Sequence, residues 1–355
     1  MDNKKVVICN YIILLVISVL VICKIYFGNI DFEVMPFNTG EAQDASFCLA
    51  LIKGIQENGF LGMVYNNRIG TPNGSSMIDF PCGDTWMFLG IYVLSIFVKN
   101  TVEIYYFYYI LSFIAIALAM SYLLFRLEFN WKINFIFSLL YTLAPYHFVR
   151  FEQGHLNLWN YFEIPLGLYL ALVIIGYIKS DNQKKEKIIC FVCAAIIGLG
   201  QGYYYFYSLL VMGFAYLYRL IIDKNKKEAL KEVWMILVVI GFVFVGLSPY
   251  ILYQINNGVN TAITARSFIE QEINALKLIT LILPVSYSRI DFMKTISNTY
   301  FEQAKSIGYF VKGNEAAALG TVGTVGLGIL AVIFFKTFTQ QKQEEKKEKE
   351  LLNIL

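Results

Sequence analysis

Charge is what this sequence has least of. Asp, Glu, Lys and Arg make up 15% of its 355 residues, against roughly a quarter in soluble globular domains. A formal net charge of +3 is too small to argue for nucleic-acid binding. Histidine is almost absent: His147 and His155 have no neighbouring Cys or paired acid in sequence, too few for a zinc site. The six cysteines make no framework. Cys190 and Cys193 form a C-x-x-C inside an apolar run without a second pair, which reads as buried thiols. Cys48 and Cys82 fall in one loop and could pair, although sequence alone does not fix connectivity. No internal repeat is visible. What remains is 57% hydrophobic with 29 Phe and 25 Tyr, as where rings pack in lipid and at headgroup level.

Crossing the hydrocarbon takes about 20 mostly apolar residues. Candidate spans are Val6–Tyr26, Val102–Phe125, Trp131–Tyr146, Leu158–Tyr177, Ile188–Gly200, Tyr203–Ile222, Val233–Tyr253 and Ala316–Phe335. The first is long and lacks a small-residue cleavage site, so it reads as a retained helix. Lys4-Lys5, Arg126–Lys132, Lys179–Lys187, Arg219–Lys231 and Lys336–Lys349 hold 18 of the 29 basic residues. They fall on one side only if eight spans alternate, which places both termini in the cytoplasm of a plasma-membrane protein. Asp84–Val98 would spoil that bias as a ninth crossing, and better suits a helix lying in the interface. The expectation is an all-α, multi-pass transmembrane helical bundle of about eight spans. Residues 1–336 form it, 27–101 and 254–315 are outer segments, and 337–355 are a charged cytoplasmic tail.

The first outer loop carries a helix signal. From Asp44, the apolar Cys48, Leu51, Ile52 and Ile55 recur at one helical face, with Lys53, Gln56 and Glu57 opposite and Asn58-Gly59 as a stop. Such a helix would float in the interface. A carboxylate in its first turn is stabilised in ionised form by the dipole and can take a proton from an alcohol. The plainer alternative is that Asp44 and Glu41 merely cap and solubilise it. Gly, Pro and Asn then make turns through 66–74, which would fold Asp79 and Asp84 back towards the first acid. Two separated acids suit substrate positioning or an oxygen-bound divalent metal. No D-x-D marks such a metal here, and Asp84 serves equally well as an N-cap.

Other candidates lie beside later spans. His147 and His155 share one short turn with Arg150 and either bond a phosphate or shuttle protons, or are simple interfacial residues. Arg150, Arg266 and Arg289 fall on the outer side, against the general bias. Each suits a lipid-linked phosphate or snorkelling to headgroups. Tyr203–Tyr207 reads as an aromatic belt. Glu163 falls within the fourth span, where an intramembrane acid is functional by default, or it is solvated at the interface less than two turns from the outer end.

The order of these features resembles the integral-membrane GT-C glycosyltransferases of the bacterial envelope. The motifs are Gln43-Asp44, Lys53, Asn58-Gly59, Gly70-Thr71-Pro72-Asn73-Gly74 and Asp79-Phe80-Pro81. Pro145-Tyr146-His147-Phe148, Gly154-His155-Leu156, Ala265-Arg266, Leu283-Pro284, Ser288-Arg289 and Leu319-Gly320 follow. The family has Gly where Gln43 stands. Each motif is loose; order and spacing carry the weight over nearly the whole chain. The resemblance implies a polyprenyl-phosphate-linked sugar donor, a glycan or lipid acceptor at the outer face, and Asp44 as general base. Asp79, Asp84, Arg150, His147, His155, Arg266 and Arg289 are then substrate contacts. The family usually has further spans, so the chain is expected to be a truncated or split form.

Overall fold

The computed structural model describes residues 3–35, 43–60, 72, 74, 76, 78, 84–180, 182–222, 230–261, 268, 275–286, 288–308 and 317–352. Asp79, Arg266 and Cys82 lie outside them. Helix is the only regular structure among the described residues. Five helices are long and apolar enough to cross a membrane. They are α1 (Asn3–Phe27), α4 (Thr101–Arg126), α9 (Gly202–Ile222), α10 (Val233–Asn257) and the first half of α12 (Gly320–Leu352). This marks the chain as a helical membrane protein.

Three other expected spans are shorter. The helix α5 (Trp131–Thr142) has 12 residues, about 18 Å at 1.5 Å per residue, against a hydrocarbon core of about 30 Å. It stops because Pro145 disfavours helical backbone at Ala144, and a separate α6 (Pro145–Glu152) follows. The helix α7 (Glu163–Ile174) also has 12 residues. It starts later than the hydrophobic run because residues 156–162 are turned to bury Trp159. The helix α8 (Gln183–Gly198) has 16 residues, with the Asn182 side chain accepting the Lys185 N–H. Its polar first turn lies outside the apolar run.

The chain divides into two compact units, Met1–Leu143 with Arg150–Ala265, and Ala144–Val149 with Arg266–Leu355. In the first, α4 is central and buries aromatic and small residues along its length. A polar pin ties it to α1 and α5. Tyr11 donates to Asn134 Oδ1 at 2.6 Å, Ser121 to Tyr11 at 3.2 Å, and Asn134 Nδ2 to the Ser121 carbonyl at 3.0 Å. Such bonds join helices where lipid gives no hydrophobic drive. At the other end Arg126 grips Glu186 through two nitrogens, at 3.0 and 2.8 Å, and Tyr169 donates to the same carboxylate at 2.6 Å. That clasp links α4, α7 and α8. Cys190 and Cys193 are buried free thiols in the core these helices share with α9 and α10.

Two further helices lie in the first unit, α2 (Gln43–Asn58) and α3 (Thr85–Phe97). The second unit holds α11 (Asp291–Ser306), a one-turn 3-10 helix at Leu278–Leu281, and α12. Its parts meet where Leu319 N–H donates to the Leu281 carbonyl at 3.1 Å. The apolar stretch of α12 is mostly exposed, as a lipid-facing helix would be.

Candidate functional site

The helix α2 is the amphipathic helix of the first loop, and the periodic residues are its buried face. Ala45, Cys48, Leu51, Ile52 and Ile55 are all buried. Gly59 ends it at φ +77°, donating to the Ile55 carbonyl at 2.9 Å. The buried face does not meet lipid as a floating helix would. Gln56 donates to the Lys99 carbonyl at 3.0 Å and accepts from Thr101 at 2.6 Å, which ties α2 to the α3–α4 connection.

The first turn of α2 rests on the loop after α6. Gly154 sits there at φ +73°, and a Cβ on it would come within 2.6 Å of the Ala45 Cβ and 2.7 Å of the Ala45 nitrogen. Only glycine permits both that backbone and that approach. Cys48 seals the contact, its Sγ donating to the Gly154 carbonyl at 3.4 Å. Beneath it Tyr109 stacks on Phe151 at 4.0 Å, and Trp159 meets Tyr105 edge-on at 4.9 Å.

This seat brings together three residues singled out in the sequence. His155 Nε2 lies 2.8 Å from Asp44 Oδ2. Arg150 Nη1 lies 2.9 Å from His155 Nδ1 and donates to Gln153 Oε1 at 3.0 Å. Arginine can only donate, so Nδ1 accepts, the ring proton is on Nε2, and Nε2–H donates to Asp44. Burial and the Arg150 guanidinium hold His155 below the ordinary imidazole range, while Asp44 pulls the other way. The absence of a paired acid near His155 in sequence is thus corrected by the fold, which supplies one 111 positions away. Both imidazole nitrogens are engaged. The Asp44 side chain remains 65% exposed, against 24% for His155, so the group able to meet an incoming hydroxyl is the carboxylate.

The other candidates lie elsewhere. Asp84 is buried and caps α3, its Oδ1 accepting the Met87 N–H at 2.9 Å. The next residue, Thr85, bonds the α8–α9 turn through its N–H. His147 is fully buried in the second unit, and Arg289 is exposed on that unit before α11. Of the belt tyrosines, Tyr203 and Tyr207 are exposed whereas Tyr204 is buried, its hydroxyl donating to the Leu158 carbonyl. Among the described residues, no group of three or more His, Cys, Asp or Glu side chains could hold a metal ion. The sequence reading missed Gly154 as the seat of the site and Gln153 as a partner of Arg150. The Gly-His dipeptide beside Arg150 was the signal available for both.

No known protein family, curated protein or solved structure matches the chain.

Proposed function

We propose that the chain is a membrane glycosyltransferase of GT-C type. It moves a sugar from a polyprenyl-phosphate donor to an envelope glycan or lipid acceptor at the outer face of the plasma membrane. The observation that carries the reading is an exposed Asp44 carboxylate oriented from behind by the neutral His155 and Arg150. In the proposed step Asp44 takes the acceptor hydroxyl proton and the acceptor oxygen bonds to the anomeric carbon. The bond from that carbon to the phosphate oxygen breaks, and the phosphate leaves with the electron pair. His155 is a positioning residue, since neither ring nitrogen is open to substrate. Arg266 and Arg289 are assigned, from the sequence, to the leaving phosphate.

The test is transfer of labelled sugar from a polyprenyl-phosphate donor in proteoliposomes. Asp44→Asn keeps size and loses the base, so the rate should fall about 10²- to 10⁴-fold. Equal transfer by both proteins removes Asp44 from the mechanism. If neither transfers sugar, a non-catalytic subunit of polysaccharide assembly becomes the better reading. A second reading, a transporter or flippase, is favoured by one observation, the fully buried carboxyl of Glu163 on α7. Movement of labelled lipid-linked sugar between leaflets, without transfer, would establish it.

A further inference from the structure

A second polar cluster surrounds the turn between α8 and α9, remote in its contacts from Asp44. Thr85 N–H donates to the Leu199 carbonyl at 3.0 Å, and Trp86 Nε1 to the Ile196 carbonyl at 2.7 Å. The first turn of α3, with Asp84 before it, is therefore docked on the end of α8. From α7, Glu163 Oε1 accepts the Gln201 N–H at 3.4 Å and occupies the space that a side chain on Gly200 would need. The Glu163 carboxyl and the start of α3, capped by Asp84, thus meet the same turn, Leu199–Gln201. Asp84 is 5% exposed and Glu163 1%.

Their surroundings point to a ligand of one positive charge. Among the described residues Asp84 acts on Glu163, and both act on Tyr108, whose hydroxyl accepts from Asn160 Nδ2 at 3.3 Å. No Lys, Arg or His is among the described groups acting on either carboxyl. Glu163 Oε2 and Asn160 Oδ1 are buried without a hydrogen-bond partner. Ionised carboxylates are acceptors only, so the unpartnered Glu163 oxygen finds no donor in the Asp84 carboxylate, which itself accepts the Met87 N–H. Nor can both stay ionised in a buried site without a cation. A metal ion would demand several more oxygens, whereas a proton needs only the pair. It turns one acceptor into a donor and removes one charge.

We propose that Asp84 and Glu163 form a proton-binding site, in which Glu163 holds one exchangeable proton beside the Asp84 carboxylate. Burial pushes the Asp84 carboxyl up to about 7, while the Met87 and Trp86 N–H groups favour its ionised form. In a membrane protein this is the chemistry of a proton relay. It does not depend on the sugar-transfer reading.

The test is infrared spectroscopy of the full chain in lipid nanodiscs, titrated from about pH 5 to about pH 9, above the ordinary carboxylate range. The wild type should show a carboxylic-acid C=O band that persists above that range. Glu163→Gln and Asp84→Asn should each remove or shift it. Asn caps a helix as well as Asp does, so Asp84→Asn keeps the start of α3. If Glu163→Gln fails to fold, the wild-type titration and Asp84→Asn decide alone. A wild type without the band, or a band unchanged in the variants, overturns the proposal. So does a band abolished by sodium at constant pH, which would assign the pair to a metal cation.

Discussion

At the scale of single residues, the Asp44–His155–Arg150 line is ordered by what each group can donate. Arg150 fixes the tautomer of His155, and that tautomer turns an N–H towards Asp44. Because the chain has only two histidines, nitrogen-15 NMR of histidine-labelled protein reports this directly. One imidazole should be neutral with its proton on Nε2 and should titrate below the usual 6.5. Its depressed value means the folded state resists the proton that the unfolded chain accepts. The stability this group contributes is present above 6.5 and is lost as pH falls through that value and then through the folded-state value. Arg150→Gln removes the second cause of the depression, so the titration should move upwards. No movement would show that Arg150 does not act on His155. Asp44 and Arg150 were legible as candidates because acid in a first helical turn and cation on the outer side are local signals. Their meeting was not, because nothing local ties position 44 to 155.

At the scale of elements, the period-3.6 pattern of α2 located both the helix and its buried face, since burial on one side is written into spacing. What the pattern could not say was whether protein or lipid covers that face, because both are apolar. The answer lies in Gly154, which lets the first turn of α2 touch the loop after α6. Gly154→Ala should destabilise the protein by about 1–3 kcal/mol through left-handed backbone strain alone, with a further loss from the clash at Ala45. Asp44-dependent activity should fall with it, as α2 is pushed from His155. Gly213→Ala in α9 is the control. No atom lies within 4 Å of its Cβ position, so helix stability should rise, by up to about 1 kcal/mol. A thermal melt of the two variants distinguishes them; equal melting temperatures would refute the seat. Hydropathy also overextended two helices, α5 and α7. Composition counts Pro145 and Trp159 as part of an apolar run, whereas the backbone must break for one and turn for the other.

At the scale of the whole molecule, the basic connectors require an even number of crossings, and the five long helices by themselves provide an odd one. The proposed topology has α5, α7 and α8 serve as the remaining crossings, with both termini in the cytoplasm. Reporter fusions at each end check this: the same side supports eight, opposite sides leave five. Asp44 follows α1 alone, so either outcome puts it across the membrane from the N-terminus. What the sequence by itself determined is the solvent: a chain so poor in charge, with runs of this length, can satisfy its backbone in lipid only as helices. It also determined which face of α2 is buried. Only the tertiary structure decided that Asp44 meets His155 and that Asp84 is buried at the cap of α3 instead. Periodicity is a property of neighbours along the chain, whereas these contacts depend on a glycine seat and a helix turn brought near by packing.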